Sequence, residues 1–305
     1  MKWPEELNFI PVSRMPQKQS TVDMNGKTVI ISGATSGVGL AATKRYLEGH
    51  AHIVMVVRNQ DKAETIKTEL LQDTAGTIDI IIADFSDMNS VRHAAHEILA
   101  TYDTIDVIIN SVGMHSTKKR YTKEGREMVF AVNHLGPFLF TQLLIPKLIK
   151  QEHGRIIQVN SEGHRFNGLR IHDVDWHKRL YTGLRGYGAS KTAQLLTVWE
   201  LADQLHGTNV TINAMHPGAV KSKIGSNNGL LYRIFNTLFT QPFLKDPKVS
   251  GNALYYLGTA PELETVSGRF FNLTNEEIPA KHARNRDLGK KIYELSIQLT
   301  NEVTP

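Results

Sequence analysis

The residues best suited to chemistry are a tyrosine and a lysine four positions apart, Tyr187 and Lys191. On a helix, residues at i and i+4 lie on the same face, so the phenol and the ammonium would be neighbours. A tyrosine with the ordinary pKa of about 10 is a poor base at neutral pH. A nearby cation stabilises the phenolate and lowers that pKa, so the pair could exchange a proton with an alcohol or carbonyl oxygen.

The Tyr187–Lys191 pair suggests catalysis only because of where it lies in the chain. An isolated Tyr-x-x-x-Lys is most often part of a solvated helix surface. Near the start of the chain, the apolar run 27–32 leads directly into a turn with glycines at 33, 37 and 39. In a strand–turn–helix unit, such glycines permit a tight turn, backbone approach to a pyrophosphate, and close helix–strand packing. The amides at the start of the helix then face the phosphates. This context predicts a dinucleotide-binding loop.

After residue 26, seven runs rich in β-branched residues alternate with segments of helical periodicity. The predicted strands are 27–32, 52–57, 77–83, 105–110, 154–161, 209–215 and 267–273, and the predicted helices are 38–49, 61–72, 88–101, 134–151, 187–206 and 247–258. This alternation predicts the α/β class, with a single Rossmann-type, doubly wound domain and a seven-stranded parallel sheet flanked by helices. No linker divides the chain, so we expect an arm over 1–25 and one domain over 26–305. The arm is expected to pack on the domain, with partner or membrane binding as the alternative.

The glycine spacing, G-x-x-x-G-x-G, resembles the cofactor loop of the short-chain dehydrogenase/reductase family. That family's pattern begins with Thr-Gly, and Ser32 keeps the hydroxyl here. The resemblance covers residues 26–300 and implies a nicotinamide cofactor. The loop residues expected to bind it are Gly33, Thr35, Ser36, Gly37, Val38 and Gly39.

The end of the second predicted strand distinguishes NAD(H) from NADP(H). An acidic residue there would bind the ribose hydroxyls of NAD, but this strand ends in Val57 followed by Arg58. A guanidinium binds a 2′-phosphate through charge-assisted, forked hydrogen bonds, so the sequence predicts NADP(H). The alternative is that Arg58 only covers the adenine ring or solvates the end of the strand.

By the same resemblance, later strand ends supply further cofactor contacts. Asp84, followed by Phe85, would accept a hydrogen bond from the adenine amino group, with helix capping as the alternative role. Asn110 and Gly113 match the family's turn after the fourth strand, although the two residues between them depart from it. The sequence after the sixth strand resembles the motif P-G-x-V-x-T and adds four residues around the nicotinamide: Pro217, Gly218, Val220 and Ser222.

The resemblance also completes a catalytic set of Asn133, Ser161, Tyr187 and Lys191. Ser161 matches the serine that hydrogen-bonds the substrate oxygen, and Asn133 matches an asparagine that anchors a water leading to the lysine. The last two residues of the set also contact the cofactor. The implied reaction reduces a carbonyl with hydride from NADPH and a proton from Tyr187, and its reverse oxidises an alcohol.

Specificity for the substrate is expected to lie in the loop 219–250. An apolar stripe with helical spacing runs through 229–244. Three interpretations remain open: a lid over an apolar substrate, packing against the core or another subunit, and a helix on a membrane surface. The third is disfavoured because the polar face is not rich in Lys or Arg. We therefore expect a largely apolar ketone, aldehyde or alcohol as substrate.

Composition excludes several other classes of function. The 305 residues include 35 Lys and Arg, 30 Asp and Glu, 13 His and no Cys, so thiolate and Cys-zinc chemistry are excluded. The net charge of +5 is too dispersed for a nucleic-acid-binding surface, and the histidines lack metal-ligand spacing. The first 25 residues do not have the pattern of a signal peptide. Polar residues interrupt the apolar stretch 128–149, which is typical of a buried helix.

Segments such as 132–138 and 267–271 resemble the retinol dehydrogenase branch of the family. We expect a cytoplasmic protein. The resemblance implies a homodimer or homotetramer, because helices 134–151 and 187–206 form the subunit interface in many members. A different function remains open, that of a non-enzymatic protein that senses NADP and binds a partner. Such proteins typically lose the tyrosine or the lysine, and this chain keeps both.

Overall fold

The computed structural model describes residues 9–72, 74, 76–218 and 246–301. Its strands are β1 (Thr28–Ser32), β2 (His52–Val57), β3 (Thr77–Ile82), β4 (Val107–Asn110), β5 (Gly154–Val159), β6 (Val210–His216), β7 (Phe270–Asn272) and β8 (Asn275–Glu276). Its helices are α1 (Phe9–Val12), α2 (Gly37–Glu48), α3 (Gln60–Leu70), α4 (Met88–Thr101), α5 (Met128–Phe130), α6 (Gly136–Leu148), α7 (Gly183–Gln204), α8 (Lys248–Thr259) and α9 (Arg286–Asn301). The strands and helices alternate as the sequence pattern predicts.

The strands form one sheet in the order β3-β2-β1-β4-β5-β6-β7-β8. Strands β1 to β7 are parallel, and Ser32 at the end of β1 pairs with Asn110 at the end of β4. The strand order reverses between these two strands, and a doubly wound sheet binds ligands in the crevice at that point. The fold therefore brings the glycine-rich turn and the carboxyl ends of β4 and β5 to the same edge.

The prediction of seven parallel strands was wrong in one detail, because the described part of the sheet has an eighth strand. Strand β8 pairs antiparallel with β7, after a tight turn in which Leu273 has a φ of 56°. It is only two residues long, and Glu276 is exposed. A strand this short has no apolar run, so the sequence pattern does not reveal it.

Helices cover both faces of the sheet and enclose two apolar cores. Along β1, Ile30 joins the core beneath α4, α6 and α7, whereas Val29 and Ile31 join the opposite core. This division follows from the two-residue repeat of a strand. Helix α2 packs closely on α8, where a Cβ at Gly251 would collide with the backbone carbonyl of Ala41. This packing fixes α2 and, with it, the turn that precedes α2.

The apolar stretch after β4 forms a buried helix interrupted by one π-helical turn. The turn is Ala131–Leu135, between α5 and α6, and it contains Asn133. Met128–Leu148 is long and apolar enough to cross a membrane, but 78% of its most apolar window is buried in the fold. Core helices often meet the same criteria of length and composition. Single π turns within helices frequently occur at functional sites, and this one holds a predicted catalytic residue.

The described part of the N-terminal arm lies against the domain. The Asn275 side chain donates a hydrogen bond to the Pro16 carbonyl (3.2 Å), and the amide of Lys18 donates to the Thr274 hydroxyl (2.9 Å). Farther along the arm, the Arg45 guanidinium donates to the Ser20 carbonyl. These bonds tie residues 16–20 to the β7–β8 turn and to α2.

The C-terminal helix α9 packs along α7 and also contacts α6 and the π turn. His134 in the π turn lies 2.7 Å from the Ser296 hydroxyl, and Gln142 of α6 donates to the Tyr293 hydroxyl at 2.8 Å. Helices α6 and α7 are the ones that the resemblance assigns to a subunit interface. In this chain α9 covers part of that surface, and a dimer or tetramer stays a prediction.

Candidate active site

Tyr187 lies in the first turns of α7, which begins after the N-cap residue Thr182. Its ring packs against Gly163, where a Cβ would approach the Tyr187 ring within 2.6 Å. A Cβ there would also lie 3.3 Å from Oγ of Ser161, so the phenol ring and the serine hydroxyl lie against the same glycine. Burial raises the pKa of Tyr187, and the Ser161 side chain offsets part of this rise. The phenol is therefore protonated at neutral pH in the protein alone.

Ser161 follows β5 and reaches Tyr187 because the strand end is held against α7. The Ser161 hydroxyl oxygen accepts from the Gly163 amide at 3.0 Å. The preceding residue, Asn160, stands where the family often has serine. Its side chain accepts from the Ser161 amide (2.8 Å) and donates to the Lys191 carbonyl (3.0 Å). Asn160 thus joins the end of β5 to the helix that carries the tyrosine.

Lys191 is buried one turn after Tyr187, with 3% of its surface exposed. Its Nζ donates to the Val159 carbonyl at 2.9 Å and to Oε1 of Gln194 at 3.1 Å. The same Nζ lies 5.9 Å from the centre of the Tyr187 ring. Burial lowers the pKa of Lys191 to about 7, so the contacts around Nζ determine its charge near neutrality.

Asn133 links the π turn to both sides of the site. Its side chain exchanges two hydrogen bonds with the backbone of Met114, of 2.7 and 3.0 Å, and donates to Ser190 at 3.0 Å. A Cβ at Gly113 would lie 3.6 Å from Oδ1 of Asn133 and 4.0 Å from Nζ of Lys191. The structure therefore brings all four predicted catalytic residues together, next to the turn after β4.

The glycine-rich turn has the backbone that the motif predicts. Gly33 and Gly37 have φ values of 70° and 53°, which only glycine adopts readily. A Cβ at Gly39 would collide with the Gly33 carbonyl, so helix and strand approach closely there. Ser36 is the N-cap residue of α2 and makes no side-chain capping bond. Thr35 and Val38 lie on the same turn, and Val38 packs against the core.

Ser32 connects this turn to the turn after β4. Its hydroxyl oxygen accepts from the amides of Ser111 (3.1 Å) and Val112 (3.3 Å). Ser111 and Val112 are the two positions that depart from the family pattern. The hydroxyl kept at Ser32 holds their backbone amides in place. Asn110 is buried and donates to the Thr141 hydroxyl at 2.7 Å, so its side chain supports the turn from beneath.

Arg58 is exposed immediately after β2, as the sequence predicts. Asn59 caps α3 by accepting from the amide of Lys62 at 2.8 Å. This cap places Lys62 beside the glycine-rich turn, where its Nζ lies 3.1 Å from the Thr35 hydroxyl. Two cations therefore stand at the end of β2 that faces the predicted cofactor crevice.

The turn after β3 places Asp84 and Phe85 in different surroundings. Oδ1 of Asp84 accepts from the amide and the hydroxyl of Ser86, at 2.9 and 2.7 Å. The capping residue of α4 is Asp87, so the alternative role for Asp84 as a helix cap is wrong. The Phe85 side chain is buried edge-on against Phe140 and supports the turn from the core.

After β6, Gly218 has a φ of 78°, and the Pro217 carbonyl accepts from the Ser250 hydroxyl at 2.6 Å. Val220, Ser222 and most of the predicted substrate loop lie outside the described residues. Among the residues that are described, no group of three or more His, Asp or Glu is arranged to hold a metal ion.

A family model described as short chain dehydrogenase matches residues 27–230, which is more than half of the chain. The chain belongs to the short-chain dehydrogenase family. This dehydrogenase is 30% identical over 291 residues to Homo sapiens retinol dehydrogenase 13, an alignment that covers 94% of this chain and 88% of the relative. It is 34% identical over 286 residues to Mus musculus retinol dehydrogenase 14, covering 90% and 85%. The predicted retinol dehydrogenase-like branch is thereby confirmed.

Solved structures confirm the fold of this dehydrogenase. An uncharacterised protein from Mycobacterium paratuberculosis superposes with a TM-score of 0.73 at 25% identity, covering 93% of this chain and 97% of that one. A short chain dehydrogenase from Shigella flexneri, complexed with NADP, superposes with a TM-score of 0.65 at 19% identity, covering 84% and 99%. At these identities the second likeness concerns the fold alone.

Two residues of the dehydrogenase site were missed in the sequence. Gln194 contacts Lys191, and its place at i+3 on the same helix was the available signal. Lys62 reaches the glycine-rich turn only because Asn59 caps α3, and the N-cap pattern was its available signal. Neither residue type has a fixed role at such a position, so the pattern by itself does not predict their contacts.

Proposed function

We propose that this chain is an NADP(H)-dependent oxidoreductase that interconverts a ketone or aldehyde and an alcohol on a largely apolar small molecule. The observation that carries the proposal is the placement of the Tyr187 ring and the Ser161 hydroxyl against the same glycine, Gly163, with Nζ of Lys191 5.9 Å from the centre of the ring. The family supports an oxidoreductase in general terms. The cofactor, the role of the tyrosine and the substrate class are our inference from the residues.

The residues around the crevice fit a dinucleotide. A side chain at Gly33 would crowd the backbone of Val112, and one at Gly39 would collide with the Gly33 carbonyl, so both glycines keep the turn tight enough for its backbone to approach a pyrophosphate. Arg58 and Lys62 would hold a 2′-phosphate, and Asp84 would accept from the adenine amino group. When bound, the nicotinamide supplies or takes up the hydride. The choice of NADP(H) rests on the two cations at the end of β2, where an acidic residue would favour NAD(H).

Side chains of the protein provide the proton for the reduction and polarise the carbonyl group of the substrate. The Ser161 hydroxyl donates to the substrate oxygen, and Tyr187 transfers its proton to that oxygen as the carbonyl is reduced. The raised pKa of Tyr187 keeps the phenol protonated for this direction. In the reverse direction the phenolate accepts the alcohol proton, and the Lys191 ammonium stabilises its charge.

Apolar side chains near the site support an apolar substrate. Phe166 and Leu184 are 64% and 53% exposed, and they flank Ser161 and Tyr187 in sequence. Ile278, also 53% exposed, lies beside Arg165, whose guanidinium donates to its carbonyl. Exposed apolar side chains on the segments that carry Ser161 and Tyr187 would offer contacts to an apolar ligand.

The test follows NADPH oxidation with a panel of aldehydes and ketones, and NADPH formation from NADP⁺ with a panel of apolar alcohols. Tyr187→Phe is expected to lower turnover by roughly 100-fold or more, because it removes the proton donor. NADPH binding, measured by fluorescence, should remain. The matched control is Tyr121→Phe, in which an exposed loop tyrosine loses its hydroxyl. Unchanged turnover in Tyr187→Phe would contradict the proposal.

The non-enzymatic alternative finds no support in the comparisons, whose curated relatives are named as dehydrogenases. If the wild-type chain binds NADPH but turns over none of the panel, the sensing role becomes the better explanation.

A further inference from the structure

We propose that Gln194 is a positioning residue for the reaction: its side-chain amide aims the Lys191 ammonium and joins it to the π turn that carries Asn133. This inference rests on the proposed function, because it assigns Gln194 a role through Lys191. Gln194 is 2% exposed and lies one turn after Lys191 on α7.

The Gln194 amide bonds to three other residues. Its Oε1 accepts from Nζ of Lys191 at 3.1 Å and from the Asn160 side chain at 2.8 Å. Its Nε2 donates to the Asn133 backbone carbonyl at 2.7 Å. One amide thus connects α7, the end of β5 and the π turn. Such a buried polar group is costly to leave unpaired, so these contacts hold it in one orientation.

The contacts of Lys191 show how the fixed Gln194 amide positions the ammonium. An ammonium has three N–H donors. One points at the Val159 carbonyl and one at Gln194, at 2.9 and 3.1 Å. Because the donors are tetrahedral, fixing two of them also fixes the third, which is left to serve the phenol and the cofactor crevice. Without Gln194, the ammonium could rotate about its bond to the side chain.

The backbone carbonyl of Asn133 links the Gln194 amide to the π turn. The resemblance to the family implies that an asparagine here anchors a water leading to the lysine. In this chain the carbonyl accepts from Gln194, whose other end contacts Lys191. A direct amide bridge therefore joins the two residues that the family pattern links through a water. The bridge orients the lysine without itself passing on a proton.

The groups that face Lys191 determine how its pKa responds when the contact with Gln194 is removed or altered. Tyr187 is the titratable group on α7 whose ring lies beside Nζ of Lys191, 5.9 Å from it. Among the described residues, β5 contributes the Val159 carbonyl and the turn after β4 contributes Gly113, neither of which titrates. Burial lowers the pKa of Lys191, and an acceptor at 3.1 Å favours the charged form. Removing the acceptor should lower that pKa further, and adding a negative charge should raise it.

The experiment compares Gln194→Met, which keeps the length without hydrogen bonds, with Gln194→Glu, which keeps an acceptor and adds charge. The matched control is Thr197→Val, one turn along the same helix, whose hydroxyl donates to the helix carbonyls of Ala193 and Gln194. The first readout is the ¹³C NMR titration of Lys191 Cε, assigned from its loss in Lys191→Met. This readout requires neither turnover nor cofactor.

We expect the titration midpoint of Lys191 to fall by roughly one pH unit in Gln194→Met, since a charge-assisted hydrogen bond is lost. The midpoint should rise in Gln194→Glu and stay unchanged in Thr197→Val. A role in folding alone would not move the two midpoints in opposite directions. Midpoints that do not move, or that move in the same direction, overturn the proposal.

The second readout is the pH profile of carbonyl reduction. Its alkaline limb should move with the Lys191 midpoint in each variant, and kcat should fall about tenfold in Gln194→Met with KM for the carbonyl unchanged. A profile that does not move overturns the proposal even if the protein is active. If wild-type protein reduces no carbonyl, the proposed function fails, and the NMR midpoints still decide the contact with Gln194.

Discussion

The ammonium of Lys62 donates a hydrogen bond to the hydroxyl of Thr35, with Nζ and Oγ1 3.1 Å apart. This bond links the first turn of α3 to the glycine-rich turn after β1. Arg58 is exposed four positions earlier, at the end of β2. Arg58 follows the end of β2 and Lys62 lies in the first turn of α3, so the two residues stand on either side of the short connection between these elements.

These two cations predict the cofactor preference. Arg58→Ala and Lys62→Ala should each weaken NADPH binding roughly tenfold or more, because each loses a charge-assisted contact with the 2′-phosphate. NADH binding should change much less, and added salt should reduce the difference. Fluorescence titrations with both cofactors measure the effect. Lys67→Ala, in the last turn of α3, is the control. Equal losses for NADPH and NADH would contradict the assignment of the phosphate.

Comparison of Arg58 with Lys62 shows what the sequence could predict. Arg58 directly follows an apolar run, so its place at the strand end is fixed by the chain itself. The glycine-rich turn and the Tyr187–Lys191 pair were predictable for the same reason, since each needs only one element. Lys62 contacts Thr35, and Gln194 contacts Asn160 and Asn133, across elements. These contacts depend on how a helix rotates against its neighbours.

Strand β8 shows the other limit of the sequence. Seven strands were predictable because each has an apolar run. The pair Asn275–Glu276 joins the sheet because the turn at Leu273 reverses the chain beside β7. Tertiary hydrogen bonding determines such a strand, and local propensity does not. The covering of α6 and α7 by α9 is likewise a tertiary fact that the helical pattern alone did not predict.

The hydroxyl of Ser32 provides the second prediction. Ser32→Ala should weaken NADPH binding by several-fold and destabilise the fold by about 1–2 kcal/mol, because the amides of Ser111 and Val112 lose their acceptor. Ser32→Thr, which restores the family residue, should bind NADPH as wild type does. Cofactor titration and thermal unfolding measure the two effects. If the alanine variant equals wild type in both, the hydroxyl does not order the turn.

Acid stability provides the third prediction. Burial lowers the pKa of His134 to about 3, and the unfolded chain would titrate near the ordinary value of about 6.5. The unfolded state therefore binds more protons in this window, so stability falls as the pH drops from about 6.5 toward 3. Between pH 6.5 and 4.5, His134 alone should remove about 2 kcal/mol from the free energy of unfolding. Burial lowers the pKa of His164 and His216 to about 3 and 4, so they add to the slope.

Urea unfolding at several pH values measures this slope. His134→Gln should flatten it, because glutamine keeps a donor for the Ser296 hydroxyl and does not titrate. The exposed His93 supplies the control, and His93→Gln should leave the slope as in wild type. An unchanged slope in His134→Gln would show that this imidazole is protonated equally in both states.

The fourth prediction concerns the surface covered by α9. Helix α9 buries Ile292 and Leu299 and packs along α7, so any dimer or tetramer is expected to use a surface other than the covered part of α6 and α7. Charge reversal on its outer side, with Lys290→Glu and Glu294→Lys together, should leave the mass in light scattering unchanged. Ile292→Asp should displace the helix, because it buries an unpaired carboxylate, and should cause self-association or a marked loss of thermal stability. A change of oligomeric mass in the charge-reversed protein alone would instead place the outer side of α9 in a subunit interface.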